Sequence, residues 1–149
     1  MIHEFKYNGK DYLGKPLSEI MIEFIREYDL PIDYLDLIIP MPLHKTRLRE
    51  REFNQAEILS RHIASEFKVN LALETLTRYR PTKTQTELPI NNRFSNVRDS
   101  FSVSKNCNLQ DKNVLLVDDV LTTGATSSEA AITLKNTGVN IVFVLTLAN

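Results

Sequence analysis

Asn113–Thr126 reads NVLLVDDVLTTGAT, and this stretch decides the fold. Four apolar residues, Val114 to Val117, lead into two adjacent aspartates, and a hydroxyl-rich turn with a single glycine follows. A short, unbroken apolar run is the pattern of a strand buried on both faces. Asp118 and Asp119 repel each other, so a partner from outside the chain is expected to compensate them. Beyond the turn, Thr126 to Asn136 has helical character, with Gly138 as its C-terminal stop, and NIVFVLTLA (140–148) reads as a second buried strand. Strand–helix–strand with apolar strands predicts a right-handed crossover in a parallel sheet. The fold class is therefore α/β. Ligands in such sheets bind at the carboxyl ends of strands, where Asp118 and Asp119 emerge.

Outward from this core, PLSEIMIEFIREYDL (16–30) spaces Leu17, Ile20, Met21, Phe24, Ile25 and Tyr28 as a helix does, with Pro31 to stop it. YLDLIIPMPL (34–43) reads as a buried strand running into a rigid, proline-bounded loop. FNQAEILSRHIASEF (53–67) sets Phe53, Ala56, Leu59, Ile63 and Phe67 on one face, with Asn54 available as a cap. Arg78 to Asp99 is polar and rich in Thr, Asn and Arg, which predicts a flexible loop or lid over about 78–100. With no repeat and no linker, the 149 residues are expected to form one domain, 1–149. A net charge of −1 removes any global pull toward nucleic acid or membrane. The single cysteine, Cys107, excludes an internal disulfide framework and a multi-cysteine zinc site. No apolar run is long enough to span a bilayer, and a cytoplasmic protein is expected.

The loop LTTGAT (121–126) lies between a strand end and a helix start. Backbone N–H groups there lack helical partners and sit at the positive end of the dipole, which suits a phosphate. Threonine hydroxyls add donors, and Gly124 permits close approach or a positive φ. Carboxylates a few residues away accept hydrogen bonds from sugar hydroxyls or act through hydrated Mg²⁺. A ribose 5-phosphate satisfies both features. The nucleotide-hydrolase loop GxxxxGK and the dinucleotide fingerprint GxGxxG are absent. A phosphorylated receiver domain carries its paired aspartates on its first strand, and too little chain follows Asp119 here. Lys45 and Arg47, just past the earlier strand, supply positive charge for a second anion, and Arg51 joins them.

VLLVDDVLTTGAT resembles the phosphoribosyl pyrophosphate (PRPP) signature of type I phosphoribosyltransferases. PMPLHKTRLREREFNQAE, LTRYRPTKTQTEL, NRFSNVRDSF and FKYNGK resemble, in order, segments of the ComF family of competence-associated phosphoribosyltransferase-like proteins. That resemblance implies a mainly parallel sheet flanked by helices, with a small hood and flexible loop. It implies that Asp118 and Asp119 are catalytic and face the ribose hydroxyls. Together with Val120 and Leu121, the residues Thr122, Thr123, Gly124, Ala125 and Thr126 would bind the ribose 5-phosphate. Lys45, Arg47 and Arg51 would bind pyrophosphate, and Arg80, Lys83, Gln85 and Arg93 would close over the site. No direct metal ligand is expected, since Mg²⁺ would arrive with PRPP and water near Asp118 and Asp119. Two departures stand out: the four-cysteine zinc module of many members is lacking, and the glycine of their RGFNQ segment is Glu52. Glu52 either sets a carboxylate near the pyrophosphate site or favours a helix N-terminus. The implied activity is phosphoribosyl transfer from PRPP to an unknown acceptor. The alternative is a non-catalytic PRPP- or ribose-phosphate-binding module in DNA uptake. A competence helicase is the implied partner, no membrane contact is expected, and the sequence permits a homodimer.

Overall fold

The computed structural model describes residues 11–81 and 89–148. Its elements run α1 (Gly14–Glu27), β1 (Leu37–Pro40), α2 (Lys45–Arg51), α3 (Gln55–Phe67), β2 (Asn70–Leu71) and β3 (Leu76–Arg78). They continue with α4 (Ile90–Val97), β4 (Phe101–Val103), β5 (Asn113–Val120), α5 (Ala125–Lys135) and β6 (Ile141–Ala148). Four parallel strands form one sheet in the order β2-β1-β5-β6, while β3 and β4 pair antiparallel as a separate ribbon.

Strand alternation divides the core into two layers. Ile38, Leu115, Val117 and Leu145 face α1 and α3, where they pack with Leu17, Met21, Ile25, Leu59 and Ile63. Ile39, Val114 and Leu116 face the other way, against Ala130 and Leu134 of α5 and against Leu76 and Phe101 of the ribbon. β1, and β5 from Val114 to Val117, are covered on both faces, which is why these strands read as continuous apolar runs and not as alternation. Leu59 and Ile63 are fully buried, and removing either to solvent costs about 1.5–3 kcal/mol. α3 begins where Asn54 accepts from the Ala56 amide, and the Asn54 Nδ2 donates to the Met41 carbonyl at 3.0 Å. One side chain thus caps a helix and fixes the loop that leaves β1.

The segment 78–99 is not one loop. Arg78 ends a strand and Ile90–Val97 is helical, so over those eight residues the expectation of a loop is corrected. Ile90, Phe94 and Val97 stand at helical spacing, but eight residues give only about two turns in which to show it. The segment is tied down at its end, where the Asp99 amide donates to Glu129 of α5 at 2.9 Å. Lys83 and Gln85, and the FKYNGK segment, lie outside the described residues. Among the described residues, no helix is long and apolar enough to cross a membrane.

Candidate functional site

β1 and β5 lie side by side with Pro40 opposite Val117, and the Met41 amide donates to the Val117 carbonyl at 2.8 Å. From that shared end the chain departs in opposite senses. β1 leads to β2 through α3 on one face, and β5 leads to β6 through α5 on the other. This is the topological switch point of a doubly wound sheet, where a crevice opens between the two outgoing loops. The loops PMPLHK and DDVLTTGAT therefore meet.

On one side of the crevice, Asp118 is half-buried and Asp119 is 8% exposed. The ladder continues through them, with Asp118 opposite Thr146 and Val120 opposite Ala148, so the two carboxylates leave the strand on opposite faces. Asp118 Oδ1 accepts from the Asp119 amide at 2.8 Å, which fixes its rotamer. Gly124 is the N-cap of α5 with φ of 77°, in the left-handed region. A Cβ there would meet only Leu121 Cδ1 at 3.9 Å, so the demand for glycine is conformational and not steric. Thr122 is exposed, Thr123 and Thr126 are half-buried, and Ala125 is buried under the first turn. An eleven-residue helix aims its dipole through this turn.

On the other side, α2 carries the cations. Arg47 and Arg51 are one helical turn apart and both half-buried, whereas Lys45 and Arg49 share another, exposed face. Arg51 donates to Gln55 Oε1 at 3.1 Å, which braces α2 against α3. His44 serves as the N-cap, its Nδ1 accepting from the Thr46 amide. The helix closes at Glu52, whose φ of 68° is left-handed. Glu52 is thus a helix C-cap, and the expectation that it favours a helix N-terminus is corrected. The glycine of the RGFNQ segment that this stretch resembles would have a backbone reason here. Glu52→Gly is expected to stabilise the protein by about 1 kcal/mol, because the left-handed conformation taxes any residue with a Cβ. Thermal unfolding should rise by about 2–4 °C. An unchanged or lower midpoint would dismiss the backbone explanation.

Sequence reasoning missed Arg78. Its side chain is only 9% exposed, with its guanidinium carbon 5.5 Å from the Phe101 ring centroid, on the residue paired with it across the ribbon. Burial first and Arg47 second lower its pKa, Asp118 opposes them, and the net result is a pKa of about 10. Arg47 of α2 and Asp118 of β5 are thus both near enough to act on the Arg78 charge. Leu76 and Arg78 are buried and Thr77 is exposed, so Arg78 shares the inward face of a strand too short for its alternation to be read from the sequence. Arg80 is exposed and donates to the Arg98 carbonyl at 3.2 Å, and Arg93 lies half-buried on α4. No group of three or more metal-ligating side chains occurs among the described residues. Two carboxylates beside an anion cradle still fit a hydrated Mg²⁺ that keeps its waters and takes oxygens from a ligand's phosphates.

Residues 54–149 match the family model described as phosphoribosyl transferase domain. Competence protein F of Haemophilus influenzae is 31% identical over 154 residues, covering 99% of this chain and 66% of that protein. DNA utilization protein YhgH of Salmonella typhi is 29% identical over 142 residues, covering 93% and 61%. The chain therefore spans somewhat under two thirds of the length of these curated relatives. Among solved structures, adenine phosphoribosyltransferase from Saccharomyces cerevisiae aligns over 91% of this chain and 68% of its own, with a TM-score of 0.56 and 16% identity. Purine phosphoribosyltransferase from Pyrococcus horikoshii aligns over 89% and 69%, with a TM-score of 0.51 and 19% identity. Both likenesses concern the fold: a central parallel sheet with helices on each face.

Proposed function

Since this chain belongs to the phosphoribosyl transferase domain family, in its ComF-like branch, we propose that it binds PRPP with Mg²⁺ in the crevice between β1 and β5 and transfers the phosphoribosyl group to an acceptor. What supports this reading is that Arg47 and Asp118 both act on the buried Arg78 charge, and that the Gly124 turn follows Asp118 by six residues. One end of the crevice suits a monoester phosphate, the other suits a diphosphate, and carboxylates lie between them.

The 5-phosphate would accept from backbone N–H groups and hydroxyls of Thr122, Thr123, Gly124, Ala125 and Thr126. Asp118 and Asp119 would accept from the ribose hydroxyls. When the C1–O bond breaks, its electron pair leaves with pyrophosphate and positive charge builds on the ring. The carboxylates favour that charge, and Arg47, Arg78 and Lys45 offset the charge on the leaving group. Mg²⁺ carried by the diphosphate adds to that neutralisation. The acceptor forms the new bond at C1 and gives up a proton. Two relatives are named for competence and for DNA utilisation, and we extend the proposal to such a role, with a cytoplasmic location and a helicase-like partner.

Pyrophosphate release from PRPP and Mg²⁺, screened across nucleobases and amines, tests the reading. Release above the acceptor-free rate is expected with at least one acceptor. Silence throughout with PRPP still bound would favour a binding module. Absence of PRPP binding would end the proposal.

A further inference from the structure

A trough opens on the α1 side of the sheet, away from the crevice. Its floor includes Leu115 and Phe143, and its walls include Phe24 and Ile25 of α1 on one side and Ile32 and Leu35 on the other. The volume is about 240 Å³, and the lining is nearly all apolar. Phe24 is 43% exposed at its lip and stacks on exposed Tyr28, with ring centroids 4.6 Å apart. An apolar depression with an exposed aromatic lip has the form needed to seat the apolar face of a helix.

The segments that supply the walls are mainly acidic. Residues 19–36 contain six carboxylates and one base, Arg26, which is bonded to Glu66, and of the six Asp36 is paired with Lys112. Glu23, Glu27, Asp29 and Asp33 are all exposed, and β6 carries no charge. Phosphate backbones are repelled by such a rim, so a nucleic acid does not suit it. α1 and α3 already cover this face of the sheet as a helical layer. A trough beside the end of α1 is the place for one more helix, packed at the usual 8–10 Å spacing.

We propose that this trough docks a cationic amphipathic helix from a protein partner. Apolar side chains at i, i+3, i+4 and i+7 would enter the trough, and lysine or arginine on the flanks would meet the rim. Leu115 precedes Asp118 by three residues on β5, a separation of roughly 10 Å along the strand. Partner and crevice ligand can therefore bind together.

A fluorescent helical peptide of leucine and lysine, with leucines confined to one face, is the probe, and a scrambled peptide of equal composition is its control. Wild-type protein is expected to prefer the amphipathic peptide by about tenfold, and Phe24→Ala or a Glu27→Lys/Asp33→Lys pair to erase that preference. Melting curves of the variants confirm that they fold. Equal binding of both peptides, or equal binding by the variants, would overturn the proposal. So would a concentration-dependent dimer that Phe24→Ala abolishes, since the occupant would then be a second copy. Peptide binding that appears only after removal of residues 1–10 would likewise overturn it, by showing that the chain fills its own trough.

Discussion

Replacing Asp118 and Asp119 together by asparagine is expected to lower Mg²⁺-dependent PRPP affinity by about a hundredfold or more, as read by calorimetry. Each charge-assisted hydrogen bond to a ribose hydroxyl contributes about 1.5–3 kcal/mol, and two of them amount to about 10²–10⁴ in affinity. Asparagine keeps the shape and the acceptor oxygen, so the contact from Asp118 Oδ1 to the next amide survives and the strand end should hold. Loss of the formal charges also removes the attraction for a hydrated metal. The Mg²⁺ dependence should therefore vanish along with the affinity. An unchanged dissociation constant would sink the site assignment.

Arg78→Met is expected to act oppositely on stability and on binding. A guanidinium with 9% exposure beside Arg47 is held at a cost, which its pKa of about 10 records. The folded state binds this proton less tightly than the unfolded chain. Stability should therefore rise with pH from about 10 toward the ordinary arginine value, and the cost is fully present below that window. Methionine keeps the length and the contact with Phe101, giving up a cation–π term of about 1 kcal/mol. The ligand-free melting temperature should hold or rise. Pyrophosphate affinity should fall by about ten- to a hundredfold, while ribose 5-phosphate affinity changes little. Equal losses for both ligands would make Arg78 a structural residue. An unchanged pyrophosphate affinity would remove it from the crevice.

The large elements were legible because their apolar spacing is dense. Leu59 and Ile63 announce α3, Val114 to Val117 announce β5, and both keep that pattern because both are buried. β2, β3 and β4 span only two or three residues, too few for any period to show. α4 was missed because it is only eight residues long and sits within a polar stretch, although Ile90, Phe94 and Val97 keep helical spacing. In the site, the Gly124 turn could be read directly, since a phosphate cradle is a local object. Arg78 could not, because its role depends on a ribbon that folds back over β5 from a distant part of the sequence. Glu52 shows the same limit in the backbone: a glycine replaced by glutamate looked electrostatic, and the left-handed φ makes it conformational.

The pairing of β1 with β5 has a further consequence, for the order of events during synthesis. Leu37–Pro40 must wait for Val114–Val117 before its second edge is covered, and the whole stretch between them is made first. At about 5–20 residues per second, that wait lasts several seconds on the ribosome. Until then neither half of the crevice exists beside the other, and β1 presents an open apolar edge. A ligand that needs both loops cannot guide the early chain. It can only hold the finished one.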